Sequence, residues 1–99
     1  MSAQVVVLYT SDAKFDMDYY LSSHMPLVKK LWGSMGLKSW TVLKFPEGPY
    51  SVQATLYFDS MDSFQKASQD ETVKEILGDV KNFSDKDPLL MPANVVGQS

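Results

Sequence analysis

A run of β-branched and aromatic residues near the beginning of the chain, AQVVVLYT at 3–10, has the composition of a β-strand. Side chains alternate between the two faces of a strand, and in this run both faces are apolar. The apolar residues are Val5, Val7 and Tyr9 on one face, and Val6 and Leu8 on the other. A strand of this kind is buried on both sides. The sheet that contains it must therefore be covered on both faces.

The spacing of apolar residues along the rest of the chain predicts the other elements. Met17, Tyr20 and His24 follow the three-to-four-residue spacing of a helix, whereas SVQATLYF alternates as a strand does. The turn PEGPY joins this strand to the one before it, which predicts a hairpin. Pro92 predicts that the last strand lies at a sheet edge or carries a bulge. The predicted strands cover 3–10, 37–45, 51–58 and 89–97, and the predicted helical segments cover 11–24, 26–36 and 59–83, the last with a break near 69–70.

The predicted order of elements, β-α-β-β-α-β, is that of the ferredoxin-like fold. We therefore expect an α+β protein with a single domain over residues 1–99, in which a four-stranded antiparallel sheet carries helices on one face. The helices leave the other sheet face in water, where it would expose an apolar patch. We expect two copies to pack these sheet faces together into a β-barrel, so that the protein is a homodimer.

The charge and composition of the chain exclude several classes of function. The net charge is -3 and no basic patch is visible, so we expect neither a nucleic-acid nor a membrane partner. All nine cationic residues are lysines, which removes the bidentate guanidinium clamp for phosphates and carboxylates. With no cysteine, one histidine and no nucleotide-binding motif, we expect no metal site and no cofactor. The N-terminal segment lacks the features of a signal peptide, so we expect a cytoplasmic protein.

His24 is the one side chain of the sequence whose ordinary pKa lies near neutrality. It shares a predicted helix stripe with Asp16 and Tyr20 at successive four-residue steps, so a carboxylate or a phenol could orient the imidazole for acid–base chemistry. Pro26 should interrupt the helical hydrogen bonds, with Met25 pushed away from helical geometry. We therefore expect one helix to end near His24 and a second to begin with Pro26.

Spacing alone leaves two interpretations of His24 open. It is either a buried core residue with one hydrogen bond to the backbone, or a catalytic or ligand-binding residue. Aromatic residues are frequent in this chain, and they line pockets for apolar ligands but also fill small cores. For the functional alternative, we expect a cleft between the first helix and the sheet, walled by Tyr9, Trp40 and Leu56. The acidic region 70–87 is interpreted as a solvated surface.

The stretch FDMDYYLSSHMPLVKKLWGSMGLKSW resembles the EthD family of dimeric α+β barrel proteins, named after a protein linked to bacterial degradation of ethyl tert-butyl ether. The most specific part is the His-x-Pro-Leu motif at 24–27, and the segments YFDSMDSFQKA and DVKNFSDKDPLLMPANVV also resemble that family. The resemblance covers essentially the whole chain and implies ferredoxin-like protomers whose sheets pack into a barrel dimer. The motif residues that carry over are Phe15, Asp16, Tyr19, Tyr20, His24, Pro26 and Leu27.

The resemblance implies less about activity than about fold. Some relatives are labelled reductases, and fungal relatives include dehydratases and decarboxylases that act on aromatic polyketides. The wider superfamily includes lactone isomerases, polyketide cyclases, cofactor-free monooxygenases and haem-handling proteins. The histidine of the family favours a functional role for His24.

We therefore hypothesise a small cofactor-free enzyme, a lyase or an isomerase, that acts on a small apolar or aromatic metabolite in catabolism. His24 would be the general acid or base, and Tyr20 would orient it or stabilise an enolate oxygen. The expected substrate contacts are Tyr9, Trp40, Leu56 and Asp16. Three alternatives stay open: a non-catalytic binding protein that serves a partner oxygenase, a haem-binding barrel with His24 as the axial ligand, and a reductase.

Overall fold

The computed structural model describes residues 2–99 and contains one four-stranded antiparallel sheet within that range. Its strands are β1 (Ala3–Thr10), β2 (Leu37–Lys44), β3 (Tyr50–Phe58) and β4 (Leu89–Asn94). The strand order is β2-β3-β1-β4, so β1 lies inside the sheet and β4, which contains Pro92, lies at an edge. The predicted β-α-β-β-α-β order and the ferredoxin-like α+β fold are confirmed.

Two helical segments connect the strands, and each is interrupted. The first comprises α1 (Met17–Tyr19), a π-helical turn (Tyr20–His24), α2 (Met25–Trp32) and a short 3-10 turn (Gly33–Met35). The second comprises α3 (Met61–Ser68), α4 (Thr72–Gly78) and a 3-10 turn (Val80–Asn82), with the predicted break between α3 and α4. Within residues 2–99, no helix combines the length and the apolar composition that crossing a membrane requires.

Short polar residues and one glycine set the helix ends. The carboxylate of Asp16 accepts a hydrogen bond from the Tyr19 N–H at 3.0 Å, which caps α1. The Ser60 hydroxyl caps α3 in the same way through the Ser63 N–H at 3.1 Å. Gly36, with a φ of 108°, ends the first segment, and a Cβ there would lie 2.6 Å from the Ser63 Cβ. The connection into β2 therefore requires glycine.

The first helix does not end at His24, and the expected break there was wrong. Met25 has φ −64° and ψ −39°, so it stays helical, and its N–H donates to the carbonyl of Tyr20 five residues earlier. This makes one wide π-helical turn. Pro26 supplies the physical reason, because it has no N–H and its ring crowds the carbonyl four residues earlier, that of Ser22. An extra residue in the turn makes room for the ring without ending the helix.

The two faces of the sheet have different surroundings. The β1 residues that face the helices are buried, whereas Val6 and Leu8 point to the other side and are half-buried. The register places Leu89 opposite Leu8 and Met91 opposite Val6 on that side, and both are exposed. The exposed Leu43 of β2 lies there too. These five apolar residues lie on the open sheet face, which carries no helix within residues 2–99 and also presents polar residues, with Gln53 between Leu8 and Leu43.

Candidate functional site

A largely enclosed cavity of about 90 Å³ lies between the helices and the sheet face that they cover. Four residues of the predicted site line this central cavity: His24, Tyr20, Tyr9 and Leu56. Its other lining residues come from β1, β3, β4 and the helices and are mostly aliphatic or aromatic. No lysine, aspartate or glutamate of the described chain lines it, and no trio of candidate ligands in residues 2–99 is placed to hold a metal ion.

The polar atoms of two other lining residues already have partners. The indole Nε1–H of Trp32 donates to the Thr72 hydroxyl at 2.9 Å, and the Ser68 hydroxyl donates to the Gln65 carbonyl at 2.8 Å. Neither group therefore needs a ligand to satisfy it. The interior of the cavity is apolar except where the imidazole and the phenols face it.

The most exposed residues that line the central cavity lie on α4 and β4. Leu77 of α4 and Leu90 of β4 both line it, yet they are 48% and 46% exposed. Pro88, just before β4, also lines it. A ligand that enters here passes an apolar rim.

His24 is 5% exposed, and its imidazole is held between aromatic rings. The π-helical turn stacks it on Tyr20, with ring centroids 5.4 Å apart and planes 13° apart. Phe83, beyond α4, packs with its centroid 4.5 Å from that of the imidazole. The ring faces are thus occupied by hydrocarbon, and the two ring nitrogens remain for polar interactions.

One ring nitrogen contacts a carboxylate from the second helical segment. Nδ1 of His24 lies 2.9 Å from Oδ2 of Asp79, which directly follows α4. The other carboxylate oxygen, Oδ1, accepts hydrogen bonds from the Tyr19 hydroxyl at 2.7 Å and from the Asn82 amide at 2.9 Å. Asp79 therefore accepts three side-chain hydrogen bonds, and the imidazole is one of the donors.

The environment sets the protonation of this pair. Burial lowers the pKa of His24, although its hydrogen bond to Asp79 and the charge of that residue oppose the shift. Burial raises the pKa of Asp79, but the hydrogen bonds from Tyr19, Asn82 and His24 outweigh it and hold that pKa below its ordinary value. Near neutral pH the pair is thus a neutral imidazole beside an ionised carboxylate. Since a carboxylate only accepts, the imidazole proton is on Nδ1.

The second ring nitrogen, Nε2, is therefore an unprotonated base. It makes no hydrogen bond among the described residues, and no fully buried polar side-chain atom in residues 2–99 lacks a partner. Nε2 therefore keeps some accessible surface, and the residue lines the central cavity. His24 thus combines a ring nitrogen that has no partner with a position in the lining of an apolar cavity, and general-base chemistry needs both.

Tyr20 stacks on the imidazole, and Tyr9 packs edge-on against Tyr20 with ring centroids 5.9 Å apart. Burial raises the pKa of Tyr20 above its ordinary range, although the hydrogen bond that its hydroxyl accepts from Tyr9 opposes the shift. Burial also raises the pKa of Tyr9, and the charge of Asp87 adds to the effect. Both phenols thus stay protonated near neutral pH, and the Tyr20 hydroxyl, which accepts from Tyr9, keeps its own proton to donate.

Two residues of the predicted site lie elsewhere. Trp40 lies on the helix-covered side of edge strand β2, opposite Leu56, and does not line the central cavity. Asp16 uses its carboxylate to cap α1 and lines a separate, shallow groove on the outer surface. The expected row from Asp16 through Tyr20 to His24 does not form, because the carboxylate is held at the helix end.

Asp79 was missing from the sequence prediction, which interpreted the region 70–87 as a solvated surface. A signal was nevertheless present in the sequence. Ile76, Asp79 and Phe83 follow each other at three and four residues, so a continuing helix would place the carboxylate on the same face as two core residues. A carboxylate on an apolar stripe needs a partner, and the one histidine was the obvious candidate.

Comparison with known proteins places this geometry in a family. A family model described as the EthD domain matches residues 10–87. An EthD-like protein of Ralstonia eutropha JMP134 is 32% identical, with a TM-score of 0.83 over 99% of this chain and 95% of that chain. A protein of Bacillus halodurans C-125, described as an ethyl tert-butyl ether d (EthD) family protein, is 24% identical, with a TM-score of 0.76 over 97% of this chain and 100% of that chain.

More distant structures share the fold. SnoaB, a cofactor-independent oxygenase from Streptomyces nogalater, is 11% identical, with a TM-score of 0.74 over 98% of this chain and 95% of that chain. A dimeric ferredoxin-like protein from Jannaschia sp. CCS1 is 12% identical, with a TM-score of 0.69 over 96% and 100%. A search of curated proteins finds no match. With the family model matching most of its length and a solved relative at 32% identity, the chain belongs to the EthD family.

Proposed function

We propose that this protein is a small cofactor-free enzyme, a lyase or an isomerase, in which His24 acts as the general base. One observation carries the proposal: Asp79 holds the Nδ1–H of His24 at 2.9 Å, Nε2 has no partner among the described residues, and His24 lines an apolar cavity. A base oriented by a carboxylate and shielded from water has the elements of general acid–base catalysis. SnoaB, which shares this fold, is named a cofactor-independent oxygenase, so the fold houses catalysis without a cofactor in at least one protein.

The proposed reaction begins with removal of a proton. Nε2 takes a proton from an activated C–H bond of the substrate, the bond's electron pair stays on the substrate as an enolate, and the imidazolium is stabilised by Asp79. The same Nε2–H then returns the proton to a different carbon in an isomerase, or to the leaving group in a lyase. General acid–base catalysis supplies roughly 10²–10⁴-fold, so the substrate C–H must already be acidic.

The phenols beside the imidazole have a proposed role in this reaction. Tyr20 stacks on His24 and lines the cavity with Tyr9, and both phenols are protonated. We assign one of these hydroxyls to donate to the enolate oxygen, because a donor aimed at developing charge in an apolar site stabilises the transition state. Leu56 contributes to the apolar wall.

The size of the cavity limits the proposed substrate. An apolar cavity of about 150 Å³ binds benzene, so a chamber of about 90 Å³ encloses a smaller group. We propose that the substrate is uncharged, places a compact apolar end with the reacting C–H beside His24, and extends outward past Leu77 and Leu90. An aromatic portion would lie at this rim. The chamber is too small for a haem, since cofactor sites typically measure about 300–1,000 Å³.

We also propose that the protein is a homodimer through its open sheet face. Leu43, Leu89 and Met91 are 49%, 47% and 42% exposed on that face, next to the half-buried Val6 and Leu8. Exposed apolar side chains gathered on one face of a sheet mark a contact site. The similar Jannaschia protein is described as a dimeric ferredoxin-like protein, which supports the same assembly here.

The second candidate is a binding protein for an apolar metabolite that serves a partner oxygenase. The apolar lining and the small number of polar groups of the central cavity favour it, since binding alone needs no base. In that case the hydrogen bond between His24 and Asp79 would only satisfy a buried ring.

Deuterium exchange into a weak carbon acid separates the two candidates. Butanone is incubated with the protein in deuterated buffer, and loss of its α-proton signals is followed by NMR. We expect accelerated exchange that falls by at least about 100-fold in His24→Gln, with Ser23→Ala, exposed in the same turn, as the matched control. Exchange that His24→Gln leaves unchanged would contradict the catalytic proposal. Binding of butanone without exchange, equally strong in both variants, would support the binding protein.

A further inference from the structure

The carboxylate that holds His24 is itself held by two residues that do not line the central cavity. Oδ1 of Asp79 accepts from the Tyr19 hydroxyl at 2.7 Å and from the Asn82 amide at 2.9 Å, so only Oδ2 faces the imidazole. Neither Tyr19 nor Asn82 lines the chamber. Their hydroxyl and amide groups therefore act on the carboxylate and not on a ligand.

We propose that Tyr19 and Asn82 are positioning residues that fix the His24 proton on Nδ1 and keep Nε2 as the free base. Two donors on Oδ1 prevent the carboxylate from rotating, so Oδ2 keeps a single orientation toward Nδ1. They also disperse its negative charge, which weakens its pull on a proton and keeps the imidazole neutral. This inference rests on the proposed role of His24 as base, and it extends that role to residues one step removed.

Among the groups in residues 2–99 that contact the His24 ring, the Asp79 carboxylate is the one that carries a charge. From its own helix the ring contacts Tyr20, and Tyr20 in turn contacts Tyr9 on β1; both phenols are neutral. From beyond α4 the ring contacts Phe83, which does not titrate. Asp79 is the one ionised group of the described chain that is bonded to the imidazole.

The hydroxyl and the ring of Tyr19 make separate interactions. The ring lies stacked on Phe83, with centroids 6.3 Å apart and planes 22° apart, whereas the hydroxyl reaches Asp79. The hydrogen bond to Asp79 raises the pKa of Tyr19, so the phenol stays protonated and remains a donor. Tyr19→Phe should therefore keep the packing and remove only the hydrogen bond.

The test uses the fact that the chain has a single histidine. Nitrogen and proton NMR of the labelled full-length protein, without any ligand, reports both the tautomer and the titration of that one imidazole. We expect one Nδ1–H tautomer in the parent, and in Tyr19→Phe a second tautomer and a titration midpoint shifted to higher pH. Tyr19→Phe combined with Asn82→Ala should shift it further. Tyr50→Phe, which removes a hydroxyl with no side-chain partner among the described residues, is the control and should titrate like the parent.

If the protein accelerates deuterium exchange of butanone, the kinetics of that exchange complete the test. Tyr19 does not line the central cavity, so Tyr19→Phe should lower kcat with little change in KM, by roughly the 10–100-fold that loss of outer hydrogen-bond partners costs at metal-binding histidines. The acidic limb of the pH–rate profile of Tyr19→Phe should move to higher pH together with the NMR titration midpoint. An unchanged tautomer and midpoint in Tyr19→Phe and in the double variant would overturn the inference. Because the NMR result needs no substrate, failure of the catalytic proposal leaves this outcome readable.

Discussion

Nδ1 of His24 and Oδ2 of Asp79 lie 2.9 Å apart, although 55 positions separate them in the chain. The contact joins the π-helical turn of the first helical segment to the end of α4 in the second. Neither segment alone contains a base together with the group that orients it. The candidate site therefore forms only when both segments pack on the sheet, which couples its geometry to the folding of the whole protein.

Replacement of Asp79 by asparagine should weaken both the site and the fold. The variant loses an ionised acceptor of three hydrogen bonds, and hydrogen bonds to charged groups contribute about 1.5–3 kcal/mol each, of which the amide oxygen restores a part. We expect the free energy of unfolding to fall by about 1–3 kcal/mol in urea denaturation, and butanone exchange to fall at least tenfold. Asp62→Asn, at an exposed position of α3, should stay within about 0.5 kcal/mol. Equal losses in the two variants would argue against a specific role of Asp79.

The stability of the protein should decrease in two separate pH windows. Burial lowers the pKa of His24 in the folded protein below 6.5. The unfolded chain therefore binds the imidazole proton at a higher pH than the folded protein does. As a result, the free energy of unfolding falls as the pH decreases from about 6.5 toward the folded pKa. Burial raises the pKa of Asp79, but its three hydrogen bonds hold it below 3.8, so its contribution is present above 3.8 and is lost as the pH falls through the folded pKa.

Midpoints of urea unfolding, measured from about pH 8 to pH 3, check this pattern. A variant of His24 tests whether this residue causes the decline just below pH 6.5. His24→Gln should abolish the decline just below that pH and keep the decline at lower pH. A decline of the same size in the upper window of both proteins would show that another group causes it.

Much of the fold was predictable because period and composition are local properties. The alternating apolar residues of β3 and the two apolar faces of β1 identified these segments as strands. The short turn PEGPY then indicated that β2 pairs with β3. The π-helical turn was not predictable, since whether Pro26 ends a helix or widens it depends on packing against the sheet. The sequence pointed to a discontinuity at the correct residue but not to its geometry.

The site was predictable only where its residues share one element. His24 and Tyr20 belong to one helical stripe, and spacing brought them together. Asp79 comes from a segment 55 residues away, and an acidic stretch with many solvated carboxylates gave it no prominence. Trp40 was misplaced for a related reason, because its position relative to the chamber depends on the sheet order and not on its own strand.

Pro26→Ala should separate stability from function. The substitution restores an N–H and removes the ring that crowds the Ser22 carbonyl, so the helix can close with ordinary α-helical hydrogen bonds. We expect the free energy of unfolding to rise by about 1–3 kcal/mol. Loss of the π-helical turn rotates His24 away from its stack on Tyr20, and butanone exchange should fall at least tenfold. Ser23→Ala serves as control for a small residue in the same turn. Retained exchange in Pro26→Ala would show that the turn does not depend on the proline.

Two glycines with similar backbone angles should respond differently to alanine. Gly36 has φ 108° and Gly48 has φ 115°, and both values are costly for a residue with a Cβ. At Gly48 the added Cβ meets nothing within 4 Å in the described chain, so we expect a loss of about 1–2 kcal/mol. At Gly36 it meets the Ser63 Cβ at 2.6 Å and Asp59 Oδ1 at 2.7 Å, which adds overpacking, and we expect roughly 2–5 kcal/mol. Thermal unfolding measures both losses, and equal values would mean that the contact with α3 relaxes freely.

Met91→Glu should convert the proposed dimer into monomers. Met91 pairs with Val6 near the middle of the open sheet face, and a carboxylate buried there between two copies would have no described cationic partner beside it. We expect sedimentation at twice the protomer mass for the parent and at the protomer mass for the variant. Leu21→Glu is the matched control, because Leu21 is exposed to the same degree, 42%, but lies on the π-helical turn and away from the open sheet face. A monomeric parent, or dissociation by both substitutions alike, would place the assembly elsewhere or exclude it.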